Sequence, residues 1–285
     1  MIFILGLDGL ELNLVEKWDL KNLKQKEYGK LEVPISKRLG VPASPEVWAS
    51  FLTGRHVRGK AFSKPLQIEI PLRILRFMRS HINLSLGLGK RLANRGASRF
   101  PKLEYKTFFD HIDKTKALNV PYINHDHAAL NAIHKFKRQG GITLEEAIKR
   151  LENIYENRKK QILSEMDKIK DEKLIFSFIH FPDSLQHFLL FRPKQIREHY
   201  FDLDNFVFTL KKKLKKSTTF IIISDHGFDL ELKTHSKYGF YSSNIPLNPK
   251  PVRITDFFTL LVNKANEECT DEDTDASGEY RSKIL

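Results

Sequence analysis

Residues 2–8 of this chain read Ile-Phe-Ile-Leu-Gly-Leu-Asp, an apolar run that ends in an aspartate. A run that is apolar throughout, without alternation, is typical of a parallel strand that is buried on both faces. Two similar runs lie at 174–181 and 218–224, and a weaker one lies at 117–123. Together these runs predict the strands of a parallel sheet.

Helical patterns separate the apolar runs. A capping box at Thr143–Glu146 begins an amphipathic helix that extends to about Lys170. Further helices are predicted at about 194–215 and 254–266. Strands that alternate with helices favour an α/β fold with a doubly wound, mostly parallel sheet. We expect residues 1–266 to form one such domain.

The composition excludes several classes of protein. The chain has 285 residues, of which 41% are hydrophobic and 29% are charged, so whole-chain disorder and a fibrous repeat are both excluded. The single cysteine, Cys269, excludes an internal disulfide and a cysteine-rich metal site. No apolar run approaches the roughly 20 residues of a membrane helix, and the apolar start is too short for a signal peptide. We therefore expect a cytoplasmic protein.

Two segments depart from the regular alternation of strands and helices. Residues 62–106 carry ten Lys/Arg against two Glu, and we expect them to form an inserted basic cap. Residues 267–285 are polar and acidic, and we expect a disordered tail. The net charge of the whole chain is +13. Such an excess either attracts phosphate esters, polyanions or anionic surfaces, or keeps the surface solvated.

An aspartate follows each of the three strong strands, at Asp8, Asp183 and Asp225. Ligands of an open parallel sheet bind beyond the carboxyl ends of its strands. A single aspartate at such a place is an ordinary turn residue. Three of them, two with histidines nearby, favour a functional site.

Histidines accompany two of these aspartates. Asp183 and His187 are four residues apart and would share one face of a helix. His226 follows Asp225 directly, and His235 lies in a polar loop further along the chain. Carboxylates with imidazoles, and without thiolates, favour zinc, manganese or iron over a purely structural zinc site.

The stretch Ser44–Gly54 (SPEVWASFLTG) has the start and stop signals of a short helix. We predict Ser44 as the N-cap, Pro45 in the first turn and Gly54 at the C-terminal end. These signals alone indicate only a capped helix. A helix N-terminus also binds phosphate, and a serine there beside bound metals would act as a nucleophile.

Six motifs lie in order over residues 6–241. They are Gly6–Gly9 (GLDG), Ser44–Gly54, Asn119–Pro121 (NVP), Phe181–His187 (FPDSLQH), Ser224–Phe228 (SDHGF) and His235–Tyr241 (HSKYGFY). In combination and in this order, they resemble the alkaline phosphatase superfamily, and within it the type I phosphodiesterase/nucleotide pyrophosphatase family. The resemblance implies an alkaline-phosphatase-like fold with a two-metal site.

The resemblance also implies roles for individual residues. Ser44, ten residues before Gly54, aligns with the Thr or Ser nucleophile of the family. Zinc is the first expectation for the two divalent metals, with manganese or iron as alternatives. The implied ligands are Asp183, His187 and His235 for one metal, and Asp8, Asp225 and His226, with the Ser44 oxygen, for the other.

The leading hypothesis is a phosphodiesterase or nucleotide pyrophosphatase that acts through a phosphoserine on Ser44. The substrate would be a small phosphate ester, and a cap with basic and apolar side chains suits a nucleotide or a lipid-linked phosphate. A phosphomonoesterase and a phosphoryl-transfer enzyme of the same superfamily are alternatives. A non-catalytic polyanion-binding protein also stays open, although the sequence has no clear nucleic-acid-binding motif.

Overall fold

The computed structural model describes residues 1–57, 103–137 and 141–267. The expected cap at 62–106 and tail at 267–285 therefore lie almost entirely outside the described residues, and the domain bounds stay predictions. No helix within the described ranges is long and apolar enough to cross a bilayer.

A six-stranded sheet forms the centre of the described part of the chain. The described strands are β1 (Ile2–Asp8), β2 (Glu27–Glu32), β3 (Thr115–Leu118), β4 (Leu174–Pro182), β5 (Thr219–Ser224), β6 (Phe228–Asp229), β7 (Thr234–His235) and β8 (Tyr238–Ser243). The strand order in the sheet is β2-β8-β5-β1-β4-β3. Strands β3, β4, β1 and β5 are parallel, whereas β8 is antiparallel to both β5 and β2. Strands β6 and β7 form a separate antiparallel hairpin.

Helices connect the strands, and a 3-10 turn lies at Phe108–Asp110. The longest helix among the described residues begins at the predicted capping box, in which the side chains of Thr143 and Glu146 accept from each other's backbone N–H groups. This helix ends at Met166 rather than near Lys170. The helices are α1 (Leu12–Lys17), α2 (Lys21–Lys24), α3 (Ser44–Thr53), α4 (Ala128–Lys137), α5 (Leu144–Met166), α6 (Asp183–Gln186), α7 (Pro193–Lys213) and α8 (Asp256–Glu267).

Side chains of β1 point alternately to two hydrophobic cores, one on each face of the sheet. Phe3 and Leu5 pack into the core that contains residues of α5 and α7. Ile2 and Ile4 pack into the other core, which contains residues of α3 and α8. Helices therefore cover both faces, and the predicted doubly wound, mostly parallel sheet is confirmed.

The weak apolar run at 117–123 forms a strand only as far as Leu118. Asn119 adopts a left-handed conformation with φ of 60°, which turns the chain away from the sheet. The side chain of Asn124 then bridges this turn, since it accepts from the N–H of Val120 and donates to the carbonyl of Ala117, each at 2.8 Å. The prediction of a strand beyond Leu118 is therefore wrong.

Candidate active site

The three aspartates that follow the strong strands come together in the structure. Strand β1 lies between β4 and β5, so Asp8 at its end is flanked by Asp183 and Asp225. All three side chains are buried. Buried carboxylates therefore converge at the carboxyl edge of the sheet, where ligands of such folds bind.

The first group of candidate ligands consists of Asp183, His187 and His235. Helix α6 begins at Asp183, and its single turn brings His187 Nε2 to 3.2 Å from Asp183 Oδ1. His235, on β7, places its Nε2 3.4 Å from the same oxygen and 3.2 Å from His187 Nε2. One ligand atom from each residue lies within 4.8 Å of the other two.

The second group consists of Asp8, Asp225 and His226. His226 Nε2 lies 3.4 Å from Asp8 Oδ1 and 3.3 Å from Asp225 Oδ2. The ligand atoms of this group also lie within 4.8 Å of one another. The rings of His226 and His235 stack with their centroids 3.8 Å apart, so the two groups adjoin.

Backbone carbonyls fix the ring orientation of both stacked histidines. His226 Nδ1 lies 3.0 Å from the carbonyl oxygen of Gly227, and His235 Nδ1 lies 3.1 Å from that of Pro42. Because a carbonyl oxygen only accepts hydrogen bonds, we assign the ring proton to Nδ1 in both residues. The lone pair of each Nε2 then faces the carboxylates, as a metal ligand requires.

Ser44 lies beside the second group. Its Oγ is 3.1 Å from His226 Nε2 and 3.3 Å from Asp8 Oδ1. The prediction that Ser44 is the N-cap of its helix is wrong, because Ala43 takes that position and Ser44 is the first helical residue. One position further along, the hydroxyl faces the site rather than the first-turn N–H groups. Gly54 ends the helix in a left-handed conformation, as predicted.

The sequence matches the family model for type I phosphodiesterase/nucleotide pyrophosphatase over residues 97–242. This chain belongs to that family. The matched region is about half of the chain, and it contains every histidine and aspartate of the two groups except Asp8. Asp8 and Ser44 precede the matched region, and it is the fold that brings them to the other residues.

Two solved structures illustrate the similarity to known folds. Murine ectonucleotide pyrophosphatase/phosphodiesterase 5 is 16% identical, with a TM-score of 0.37 over 79% of this chain and 57% of that chain. The alkaline phosphatase of the Antarctic bacterium TAB5 is 11% identical, with a TM-score of 0.49 over 93% of this chain and 97% of that chain. This chain thus spans a little over half of the murine structure. No curated protein matches the sequence, and both TM-scores are low, so family membership rests on the family model.

The carboxylates of this phosphodiesterase-family site are crowded. Burial and the charges of Asp8 and Asp183 raise the pKa of Asp225 well above its ordinary value. Burial also acts to raise the pKa of Asp183, but in metal-free protein the imidazoles of His187 and His235, when protonated on Nε2, hold it well below its ordinary value. Asp183 Oδ1 and Asp225 Oδ2 are among the buried oxygens of the described residues that accept no hydrogen bond. Imidazole nitrogens lie 3.2–3.4 Å from them, but not in the geometry of a hydrogen bond. Such oxygens are costly in a folded protein.

Divalent cations fit these two groups. Each group offers carboxylate oxygens and imidazole nitrogens, and each contains one of the unpartnered buried oxygens. A cation in each group would satisfy that oxygen and reduce the repulsion between the carboxylates. A set of oxygen and nitrogen donors without thiolate suits zinc, manganese or iron.

His180 also belongs to the site, although the sequence analysis did not select it. Its Nδ1 lies 2.5 Å from Asp8 Oδ2. Burial lowers the pKa of His180, but the contact with Asp8 outweighs that effect and raises it. A histidine inside an otherwise apolar strand is the signal that identifies such a residue, because a buried imidazole needs a polar partner.

Proposed function

We propose that this protein is a metal-dependent phosphoesterase with Ser44 as its nucleophile. The observation that carries the proposal is the position of Ser44 Oγ, within 3.3 Å of both Asp8 and His226. A hydroxyl that only capped the helix would bond to its first-turn N–H groups instead. Membership of the type I phosphodiesterase/nucleotide pyrophosphatase family supports the same chemistry.

Two divalent cations are part of this proposal, with zinc as the first choice and manganese or iron as alternatives. When bound, they would supply Lewis-acid stabilisation of the charge that develops on the serine and phosphoryl oxygens. The residues that would hold them are Asp183, His187 and His235 in one group, and Asp8, Asp225 and His226, with Ser44, in the other.

The chain's own groups bind and transfer the phosphoryl group. The N-terminus of α3, whose first turn has no side-chain cap among the described residues, offers N–H groups to the phosphoryl oxygens. Ser44 Oγ gives up its proton and forms a bond to phosphorus, while the bond to the leaving oxygen breaks and that oxygen takes up a proton. The product is a phosphoserine, which keeps the second ester group when the substrate is a diester. Water then cleaves the bond between Oγ and phosphorus, its oxygen going to phosphorus and one of its protons restoring the hydroxyl.

The substrate that we propose is a phosphodiester or a nucleotide, in keeping with the family. A phosphomonoesterase and a phosphoryl-transfer enzyme are the alternatives. Monoesters, diesters and nucleotides should each be assayed with zinc, manganese and iron added to metal-free protein. Faster turnover of diesters or nucleotides supports the proposal, and faster turnover of monoesters favours the first alternative.

Trapping the phosphoserine tests the proposed nucleophile. Protein that is mixed with a diester substrate and quenched in acid should carry on Ser44 the phosphoryl group with the ester group that stays on phosphorus, as measured by mass spectrometry. A monoester should leave the phosphoryl group alone. The Ser44→Ala protein should neither carry an adduct nor turn over substrate. Ser50→Ala is a matched control on the same helix, because its hydroxyl bonds to the backbone groups of Glu46 and Val57 at 2.7 and 2.9 Å. Wild-type turnover by Ser44→Ala would overturn the assignment. A purified protein without bound metal and without turnover would instead favour a polyanion-binding role.

A further inference from the structure

Glu11 is a buried carboxylate close to the candidate metal ligands, yet it belongs to neither ligand group. It lies three residues after Asp8, and only 2% of its surface is exposed. Its carboxylate accepts from the N–H of Asn13 at 3.0 Å and from the hydroxyls of Ser236 and Tyr238. Three donors compensate for the removal of this carboxylate from water.

Both hydroxyl donors lie just after His235, which is the last residue of β7, and Tyr238 is the first residue of β8. Ser236 follows His235 directly, and its N–H also donates to the carbonyl of Gly227 at 3.0 Å. The N–H of Gly227 donates to the carbonyl of Tyr238 at 3.1 Å. A Cβ at Gly227 would lie 2.2 Å from Glu11 Oε2, so this close approach requires glycine. Glu11 therefore packs closely against Gly227 and the connection between β7 and β8.

The main chain of Glu11 is linked to helix α6 through the hydroxyl of Tyr200. Its N–H donates to the hydroxyl of Tyr200 at 3.1 Å, and the same hydroxyl accepts from Gln186 Nε2 at 2.7 Å. Gln186 lies in α6, between Asp183 and His187. One residue thus connects the end of β1, helix α6 and the loop after β7.

We propose that Glu11 is a positioning residue, which holds His235 in place and so sets the affinity of the Asp183–His187–His235 group for a divalent cation. This inference rests on the proposed function, because it requires that the group binds metal. Residues that orient metal ligands contribute roughly 10–100-fold to metal affinity. The carboxylate accepts hydrogen bonds from Ser236, which is next to His235, and from Tyr238. Gly227, which is next to His226, only packs against it. We therefore expect the effect of Glu11 to fall on the group that contains His235.

Zinc binding to metal-free protein tests this inference without reference to turnover. In a titration against a chromophoric chelator, Glu11→Gln should weaken one zinc site by about tenfold or more and leave the other unchanged. His187→Ala removes a ligand of the group that Glu11 is proposed to support. In that background, Glu11→Gln should not change the affinity of the site that remains.

Two tyrosines on β8 provide a matched pair of variants. Tyr238→Phe removes a hydroxyl that donates to Glu11, whereas Tyr241→Phe removes one that donates to Glu27 at 3.1 Å. Tyr238→Phe should weaken the same zinc site as Glu11→Gln, and Tyr241→Phe should not. Combining Glu11→Gln with Tyr238→Phe should weaken the site by less than the product of the two separate effects, because both variants disrupt one contact.

The possible results separate this inference from the proposed function. If wild-type protein binds two zinc ions and neither Glu11→Gln nor Tyr238→Phe changes the affinities, the inference is overturned and the proposed function stands. Equal weakening of the site that remains in the His187→Ala background would also overturn it. If wild-type protein binds no zinc, manganese or iron, both are overturned. If Glu11→Gln does not fold, the Tyr238→Phe and Tyr241→Phe pair decides.

Discussion

A shift of one position along α3 changes what the hydroxyl of Ser44 does. As an N-cap it would stabilise the helix, but as the first helical residue it faces Asp8 and His226. In metal-free protein, Ser44→Ala should therefore change the free energy of unfolding by less than about 0.5 kcal/mol. Thr143→Ala, which removes the hydroxyl of a formed capping box, should cost about 1 kcal/mol. Urea denaturation measures both, and equal losses would contradict the assigned positions.

The charge of Asp225 is disfavoured in the absence of a cation. Burial, Asp8 and Asp183 all oppose its ionisation. Asp225→Asn should therefore raise the midpoint of thermal unfolding of metal-free protein, while it lowers zinc occupancy. The oxygen of the new side chain still accepts from the N–H of Gly9, as Asp225 Oδ1 does now at 3.3 Å.

A carboxylate outside the site provides the control for this variant. Asp202 accepts from Tyr155 and Lys159 at 2.8 and 2.6 Å, so its charge is compensated by neighbours. Asp202→Asn should lower the thermal midpoint with and without zinc. A lower midpoint for metal-free Asp225→Asn would contradict the proposed repulsion between the buried carboxylates.

The sequence predicts ligand candidates better than it predicts the residues around them. Asp8, Asp183 and Asp225 are recognisable because each follows an apolar strand, where the chain leaves the sheet. His180 carries only the signal of a polar residue inside an apolar strand, and Glu11 carries none, because the partners of both lie far away in the chain. Glu11, for example, bonds to Ser236 and Tyr238.

At the scale of secondary-structure elements, the strands that are buried on both faces are the predictable ones. Strands β1, β4 and β5 follow their apolar runs to within a residue, because nearly all of their positions are buried and most therefore carry apolar side chains. Strands β2 and β8 are not predicted from the sequence, because their residues, EYGKLE and YGFYSS, mix polar and small side chains with aromatic ones. Strand β8 pairs antiparallel with β5, and β2 pairs antiparallel with β8, so both strands depend on partners distant in the chain rather than on a local pattern.

The C-terminal end of α3 depends on a glycine. Gly54 has a φ of 65°, and a Cβ there would lie 2.6 Å from Phe258 Cβ. Gly54→Ala should therefore cost more than the roughly 1–2 kcal/mol of left-handed strain alone. Gly40 is the matched control, because its φ is 72° and a Cβ would meet nothing within 4 Å. Urea denaturation of both variants measures the difference, and equal costs would contradict the packing of α3 against α8.

At the scale of the whole molecule, the candidate ligands come from segments that only the folded chain brings together. Metal binding should therefore stabilise the fold. At a zinc concentration 100 times Kd, each occupied site should add about 2.7 kcal/mol to the free energy of unfolding. Calorimetry with zinc and with a chelator measures this gain. In the His187→Ala protein, the gain in the free energy of unfolding should be smaller by the contribution of one site. Identical unfolding curves under both conditions would contradict the two ligand groups.

Anomalous diffraction from crystals grown with zinc tests the central claim most directly. The claim is that the fold builds two adjoining cation sites, with Ser44 beside one of them. It predicts two zinc peaks, one among Asp183, His187 and His235 and the other among Asp8, Asp225 and His226, with Ser44 Oγ next to the second. A single peak, or peaks away from these two groups, would contradict it.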